Sequence, residues 1–126
     1  MSFSNKNNEG VLFFNEDVVK LNKLDITTLS DVAAARSDQS ARICTHKSDQ
    51  DYLHEMVILH SYETYVRPHK HLNKSVSFHV VEGQADVVLF DEEGEIQEVV
   101  PMGDPTTGTP FYCRLPEAQY YTQVVR

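Results

Sequence analysis

The sequence predicts an all-β fold, a sandwich or barrel that carries one short N-terminal helix. Runs rich in β-branched and aromatic residues recur at close spacing from Ala41 to Val125, and each is too short to read as a helix. Only the stretch around Leu29 to Ala35 has helical periodicity. Glycine and proline gather between the runs, as they do in turns. A chain of 126 residues has length for one domain with its own core and too little for two of ordinary size.

Residues 1–10 are polar and are expected to fray, leaving one domain over 11–126 with an N-terminal strand and helix in 11–38 and a barrel in 41–126. Val11-Leu12-Phe13-Phe14 is an apolar run suited to a strand that pairs in the sheet or with a second subunit. Thr27 or Thr28 is placed to cap a helix whose Leu29, Val32 and Ala33 share a face, with its end near Ser37 or Asp38. Strands are then expected over 41–45, 55–60, 63–66, 75–81 and 85–90. Asp91-Glu92-Glu93-Gly94 reads as a hairpin loop with its glycine in a left-handed conformation, followed by a return strand over 95–100. Residues 101–110 read as a loop, and 111–115 and 120–125 as the last strands.

The formal charge is −8, and such a field repels nucleic acid and anionic membrane surfaces. From Ser75 onward nine acidic residues face only Arg114 and Arg126, whereas Arg42, Lys47, Arg67, Lys70 and Lys74 all lie earlier. A small anionic ligand is therefore compatible with the middle of the chain. Cys44 and Cys113 belong to no dense cysteine framework and follow no export signal, so free thiols in a reducing cytoplasm are expected. No stretch approaches bilayer-spanning length. Nucleophile elbow, P-loop, dinucleotide fingerprint and CxxC pair are all absent from the sequence, which gives covalent catalysis and nucleotide hydrolysis no local support.

One constellation carries chemistry. His69 and His71 lie two residues apart in Arg67-Pro68-His69-Lys70-His71, and in extended backbone residues i and i+2 point to one face. Two convergent neutral imidazoles suit a divalent transition metal such as Zn, Fe, Mn or Ni, or acid–base chemistry. In a small conical barrel the next inward position, five residues on, would usually hold a carboxylate and a late strand a third histidine. Here those positions are Val76 and Tyr121. Tyr121 ligates only as a phenolate, so the metal set His69, His71 and Tyr121 is an open one. His79 has the parity opposite to Val76 and is expected to face away. Arg42, His46 and Arg67 are candidates to bind an anionic group of the substrate, while His54 and His60 read as structural or solvated.

The stretch Tyr65 to His71, followed by Lys74-Ser75-Val76-Ser77-Phe78-His79-Val80-Val81-Glu82-Gly83 and Val88 to Gly94, resembles the WbuC family of cupin-fold metalloproteins. The similarity runs from about Val11 through the helix, Arg42 and His46 to Tyr112–Pro116. It implies a cupin-type jelly-roll β-barrel with a metal in its cavity and a setting in bacterial O-antigen or other surface-polysaccharide biosynthesis. The family pattern reads Lys-Ser-Glu-Ser-Phe where this chain has Lys74-Ser75-Val76-Ser77-Phe78, and it has a histidine where this chain has Tyr121. It also continues past the position of Arg126.

Three functions follow as expectations. One is a cytoplasmic enzyme acting on a sugar or sugar nucleotide by isomerisation or epimerisation, with His69 and His71 as catalytic or metal-binding groups. The second is a metal-poor, non-catalytic binding module that has lost two ligands. The third is an assembly role in which the N-terminal strand and open sheet edges make a homodimer.

Overall fold

The computed structural model describes residues 3–5, 10–14 and 16–126. The chain divides into two compact units, Met1–Thr64 and Tyr65–Arg126.

In the first unit a four-stranded sheet has the order β1 (Phe3–Asn5), β2 (Val11–Phe14), β3 (Ala41–Cys44) and β4 (Met56–Leu59). β1 is a backbone strand paired with β2 within the stretch expected to fray; residues 1–2 and 6–9 of that stretch lie outside the described residues. β2 and β3 are parallel, which requires a crossover, and helix α1 (Lys23–Ala34) supplies it. One face of α1 meets one face of the sheet, where Leu12, Leu29, Ala33, Ala41 and Ile43 are buried and Val57 and Leu59 pack against them. Alternation along β3 explains the pattern, with Ala41 and Ile43 inward and Arg42 exposed.

The helix begins earlier than the threonines suggest. Asn22 is the N-cap, its side chain accepting from Leu24 N, while Asp25 accepts from Asn22 N at 2.7 Å to complete a capping box worth about 1 kcal/mol. Thr27 and Thr28 instead lie inside the helix, each hydroxyl donating back one turn to Lys23 O and Leu24 O at 3.2 Å. The last turn closes at Ala35, short of Ser37. The strand expected over 63–66 is absent, because Ser61 to Thr64 close a turn in which Thr64 N donates to Ser61 O at 3.0 Å.

The second unit holds two sheets. β5 (Val76–His79) pairs antiparallel with β8 (Tyr112–Leu115), and β6 (Gln84–Phe90) lies between β7 (Ile96–Gly103) and β9 (Tyr120–Val125). Val87, Met102, Leu115 and Tyr121 are buried in one cluster, with Val76, Phe78, Val80, Leu89 and Val100 packed around it. Inward Val76 and Phe78 alternate with exposed Ser77 and His79, so His79 points outward and stacks on Tyr112 at 4.9 Å. The fold is thus mostly β-sheet with one short helix, and no closed barrel forms among the described residues.

The turn Asp91 to Gly94 follows its sequence signature: Gly94 has φ +87°, and Asp91 Oδ1 accepts from the backbone N–H of both Glu93 and Glu95 at 2.9 Å. β7 continues through Pro101 into what reads as loop. It can do so because β7 is an edge strand, where a missing N–H is tolerated. Ala118, between β8 and β9, is left-handed at φ +64°, a conformation costing an L-residue with a Cβ about 1–2 kcal/mol.

Asp104 closes the β7 end. Its carboxylate accepts from Gly83 N at 3.1 Å and from Thr106 N at 3.0 Å, and its own N–H donates to Gly83 O. The hydrogen bond from the Thr106 hydroxyl, then those from Gly83 N and Thr106 N, hold its pKa below the usual carboxylate value of 3.8. A carboxyl depressed on folding adds stability that is present above the unfolded value and is lost as pH falls through the folded one. Asp104→Asn should therefore flatten the loss of stability below about pH 4, read from urea midpoints across acid pH. Ala118→Gly should raise the urea-derived stability by about 0.5–1 kcal/mol through relief at a left-handed position.

Candidate functional site

The site is built on β9, and three consecutive residues of that strand hold the histidine segment. Tyr121 exchanges two backbone hydrogen bonds with His69, from His69 N to Tyr121 O at 3.0 Å and from Tyr121 N to His69 O at 2.9 Å. The Thr122 hydroxyl donates to Val66 O. On the opposite face Lys70 Nζ sits 4.5 Å from the Tyr120 ring centroid and pairs with Glu92 at 3.3 Å. Ala118 N donates to His71 O at 2.7 Å. Residues 69–71 therefore run as an extended segment beside β9, with both imidazoles toward Tyr121 and the lysine away.

The rings converge on the phenol. His69 lies 4.4 Å from the Tyr121 ring, and the two imidazoles meet edge to face at 5.2 Å. His71 Nε2 is 3.0 Å from the Tyr121 hydroxyl. Phe78 packs edge to face on Tyr121 at 5.3 Å. Tyr121 is only 4% exposed, and burial pushes its phenol above the ordinary pKa. Burial also pushes His71 down, helped by the neighbouring charges of His69 and Lys74. Both groups are thus neutral near pH 7, and we assign the phenol as donor to His71 Nε2, because its buried O–H needs an acceptor.

Proton positions follow from these partners. His69 Nδ1 is 2.9 Å from Arg67 O, and a carbonyl only accepts, so Nδ1 carries a hydrogen and, in the neutral ring, Nε2 is the acceptor. In His71 the tautomer is reversed, because Nε2 accepts from Tyr121 and the hydrogen sits on Nδ1. One imidazole is set as an acceptor and its neighbour as a donor.

That arrangement bears on the expected metal. Val76 packs into the apolar cluster around Tyr121 and offers no ligand atom, His71 Nε2 is engaged by the phenol, and burial works against a phenolate. Among the described residues no three His, Cys, Asp or Glu side chains form a metal-binding group. A single free imidazole nitrogen falls short of the three or four protein ligands of a stable site, so the residues present do not fit a resident metal.

The remaining candidates are distributed differently. Arg67 contributes its carbonyl to His69 and leaves an exposed side chain. Arg42 and His46 belong to the first unit. Arg42 is exposed on β3; His46 donates Nδ1 to Glu55 O at 3.3 Å and stacks on His54 at 4.6 Å with an interplanar angle of 16°. Burial pushes the thiols of Cys44 and Cys113 upward, which makes neither a ready thiolate. In the second unit a depression of about 310 Å³ is lined by Phe90, Gln97, Ala118, Gln119 and the hairpin residues Asp91 to Glu93. It includes neither histidine.

Lys70, Thr122 and Ala118 were not legible as parts of the site. Lys70 alone had a signal, since it stands between the two histidines and must take the opposite face of an extended segment.

The family described as a domain of unknown function, DUF6016, matches residues 21–102, and the chain belongs to it. The match takes in α1, His69 and His71 and ends before Tyr121. Nothing among the curated proteins or the solved structures matches the chain. No helix among the described residues is long and apolar enough to cross a membrane.

The protein as purified should carry far less than one divalent metal per chain by elemental analysis. The double variant Val76→Glu, Tyr121→His should gain one, with a Tm that rises on adding zinc. One tightly bound metal in the parent would overturn the proton assignment.

Proposed function

We propose that this chain is a cupin-type jelly-roll protein of the WbuC kind whose site works without a resident metal, binding a sugar or sugar nucleotide and moving a proton beside its carbonyl. The observation that carries the reading is the placement of His69 Nδ1 on Arg67 O and of His71 Nε2 on the Tyr121 hydroxyl, from which we assign opposed neutral tautomers, His69 with Nε2 as acceptor and His71 with Nδ1 as donor. A carbon acid next to a carbonyl needs this complement: a base for the carbon-bound proton and a donor for the oxygen that becomes an enol. His69 takes the carbon-bound proton while the His71 Nδ1–H donates a hydrogen bond to the carbonyl oxygen as it becomes an enolate. Return of the proton from His69 to the other face of that carbon gives an epimer; return to the neighbouring carbon, with the hydrogen of that carbon's hydroxyl moving to the first oxygen, gives an isomer. Nothing is oxidised overall and no water is consumed. Tyr121 is a positioning residue, since it touches the reaction through His71.

The wider setting belongs to the same reading: surface-polysaccharide biosynthesis, a cytoplasmic enzyme and a homodimer. Support for the cupin element comes from Val76 and Tyr121 sharing one apolar cluster beside the two imidazoles, at the positions where the resemblance has a carboxylate and a third histidine. That same valine favours a second reading, a non-catalytic binding module, because an apolar wall supplies fit without chemistry.

The test is deuterium exchange. Nucleoside-diphosphate hexoses and free keto-hexoses incubated with the protein in deuterium oxide should acquire deuterium next to the carbonyl, followed by NMR. His69→Ala and His71→Ala should slow the exchange at least about 100-fold. Tyr121→Phe keeps the ring packing, and should slow it about tenfold with a displaced pH profile. Binding without exchange leaves the non-catalytic module; neither binding nor exchange removes both readings.

A further inference from the structure

The histidine segment is held to the sheet by few contacts, and they differ in kind. Val66 and His69 are fixed through backbone atoms, and His71 through Ala118 N and the Tyr121 hydroxyl. Between the two histidines the side chain of Lys70 reaches over the other face to the Tyr120 ring and to Glu92. Among the described residues it is the one charged contact that the segment makes across β9. His69 and Tyr121 form an isolated bridge rather than a ladder, and beyond it the backbone bond from Ala118 N to His71 O at 2.7 Å is the further backbone tie of the segment among the described residues. So short a pairing is a weak tether, and an extended segment that rolls about its axis carries its odd and even side chains together.

From this geometry we infer that residues 66–71 are a strap latched by Lys70, and that the lysine is the positioning residue which keeps both imidazoles on Tyr121. Its ammonium lies between an aromatic face and a carboxylate, two contacts that act in the same direction. Glu92 also lines the depression beside the hairpin, so a cationic group entering there would compete for the carboxylate and loosen the latch. The inference rests on the site proposed above, but its test does not use turnover.

Hydrogen exchange of single amides reads the strap directly. Three amides report on its attachment: His69 N and Tyr121 N, which bond to each other's residues, and Ala118 N, which bonds to His71 O. In Lys70→Gln their protection should fall by about three- to tenfold, while amides of β6 such as Val87 stay unchanged. Lys70→Arg keeps both the ring contact and the ion pair and should restore protection. Glu92→Gln removes only the ion pair and should give an intermediate loss, reproduced in the parent by high salt. Unchanged protection at all three amides in Lys70→Gln would overturn the latch. So would an equal loss in β6, which would make Lys70 a general stabilising residue, and so would a failure of Lys70→Arg to rescue. Loss of sugar turnover in a protein whose strap behaves as described would leave the latch standing and refute only the proposed reaction.

Discussion

Everything at the candidate site depends on the reciprocal pair of backbone hydrogen bonds between His69 and Tyr121. In an antiparallel pair of this type the two residues face each other across the strands and their side chains share a side. Once that register is set, the phenol and the first imidazole are neighbours without further design, and the period of two brings His71 to the same face. Shifting the segment by one residue would turn Lys70 toward the apolar cluster and both histidines toward solvent. The Lys70 contacts with Tyr120 and Glu92 and the apolar packing of Phe78 on Tyr121 oppose that slip from the two faces of the sheet.

How much of this the sequence discloses depends on the range of the interactions involved. Signals that act within a few residues are legible: the hairpin glycine at 94, the apolar alternation of Val76 and Phe78, the outward parity of His79, and the Tyr120–Val125 strand all follow from local chemistry. Helix α1 was legible in its buried face and less so in its start, because Asn22 with Asp25 competes for the capping role with Thr27 and Thr28 and does so with a reciprocal pair of hydrogen bonds. The missing strand over 63–66 shows the limit of β-propensity: Tyr and Thr suit a strand, but Ser61 and Thr64 satisfy the backbone locally in a turn. Pro101 misled in the opposite direction, since a proline ends a central strand but not an edge strand.

At the site the sequence disclosed the histidine pair and, through spacing, Val76 and Tyr121 as residues of interest. It could not disclose tautomers, which depend on the carbonyl of Arg67 and the hydroxyl of Tyr121, fifty residues apart along the chain in the second case. Nor could it say that Arg42 and His46 would have local occupations of their own, Arg42 in the strand ladder of the first unit and His46 stacked on His54. Long-range pairing decides such points, and a single sequence carries no record of it.

A tyrosine at position 121 also gives the two converging imidazoles a partner of their own. A buried hydroxyl without a partner would cost about 1–3 kcal/mol, so the core that encloses the Tyr121 ring also obliges its oxygen to find an acceptor. His71 Nε2 is that acceptor, and depression of its pKa by burial keeps it available as one. The phenol therefore orients His71, while Val76 packs against the same apolar cluster as the Tyr121 ring, where an unpaired carboxylate would be costly to bury. The residues at 76 and 121 are thus coupled: a glutamate at 76 would be costly next to a neutral phenol, and a histidine at 121 would lack the hydroxyl that holds His71.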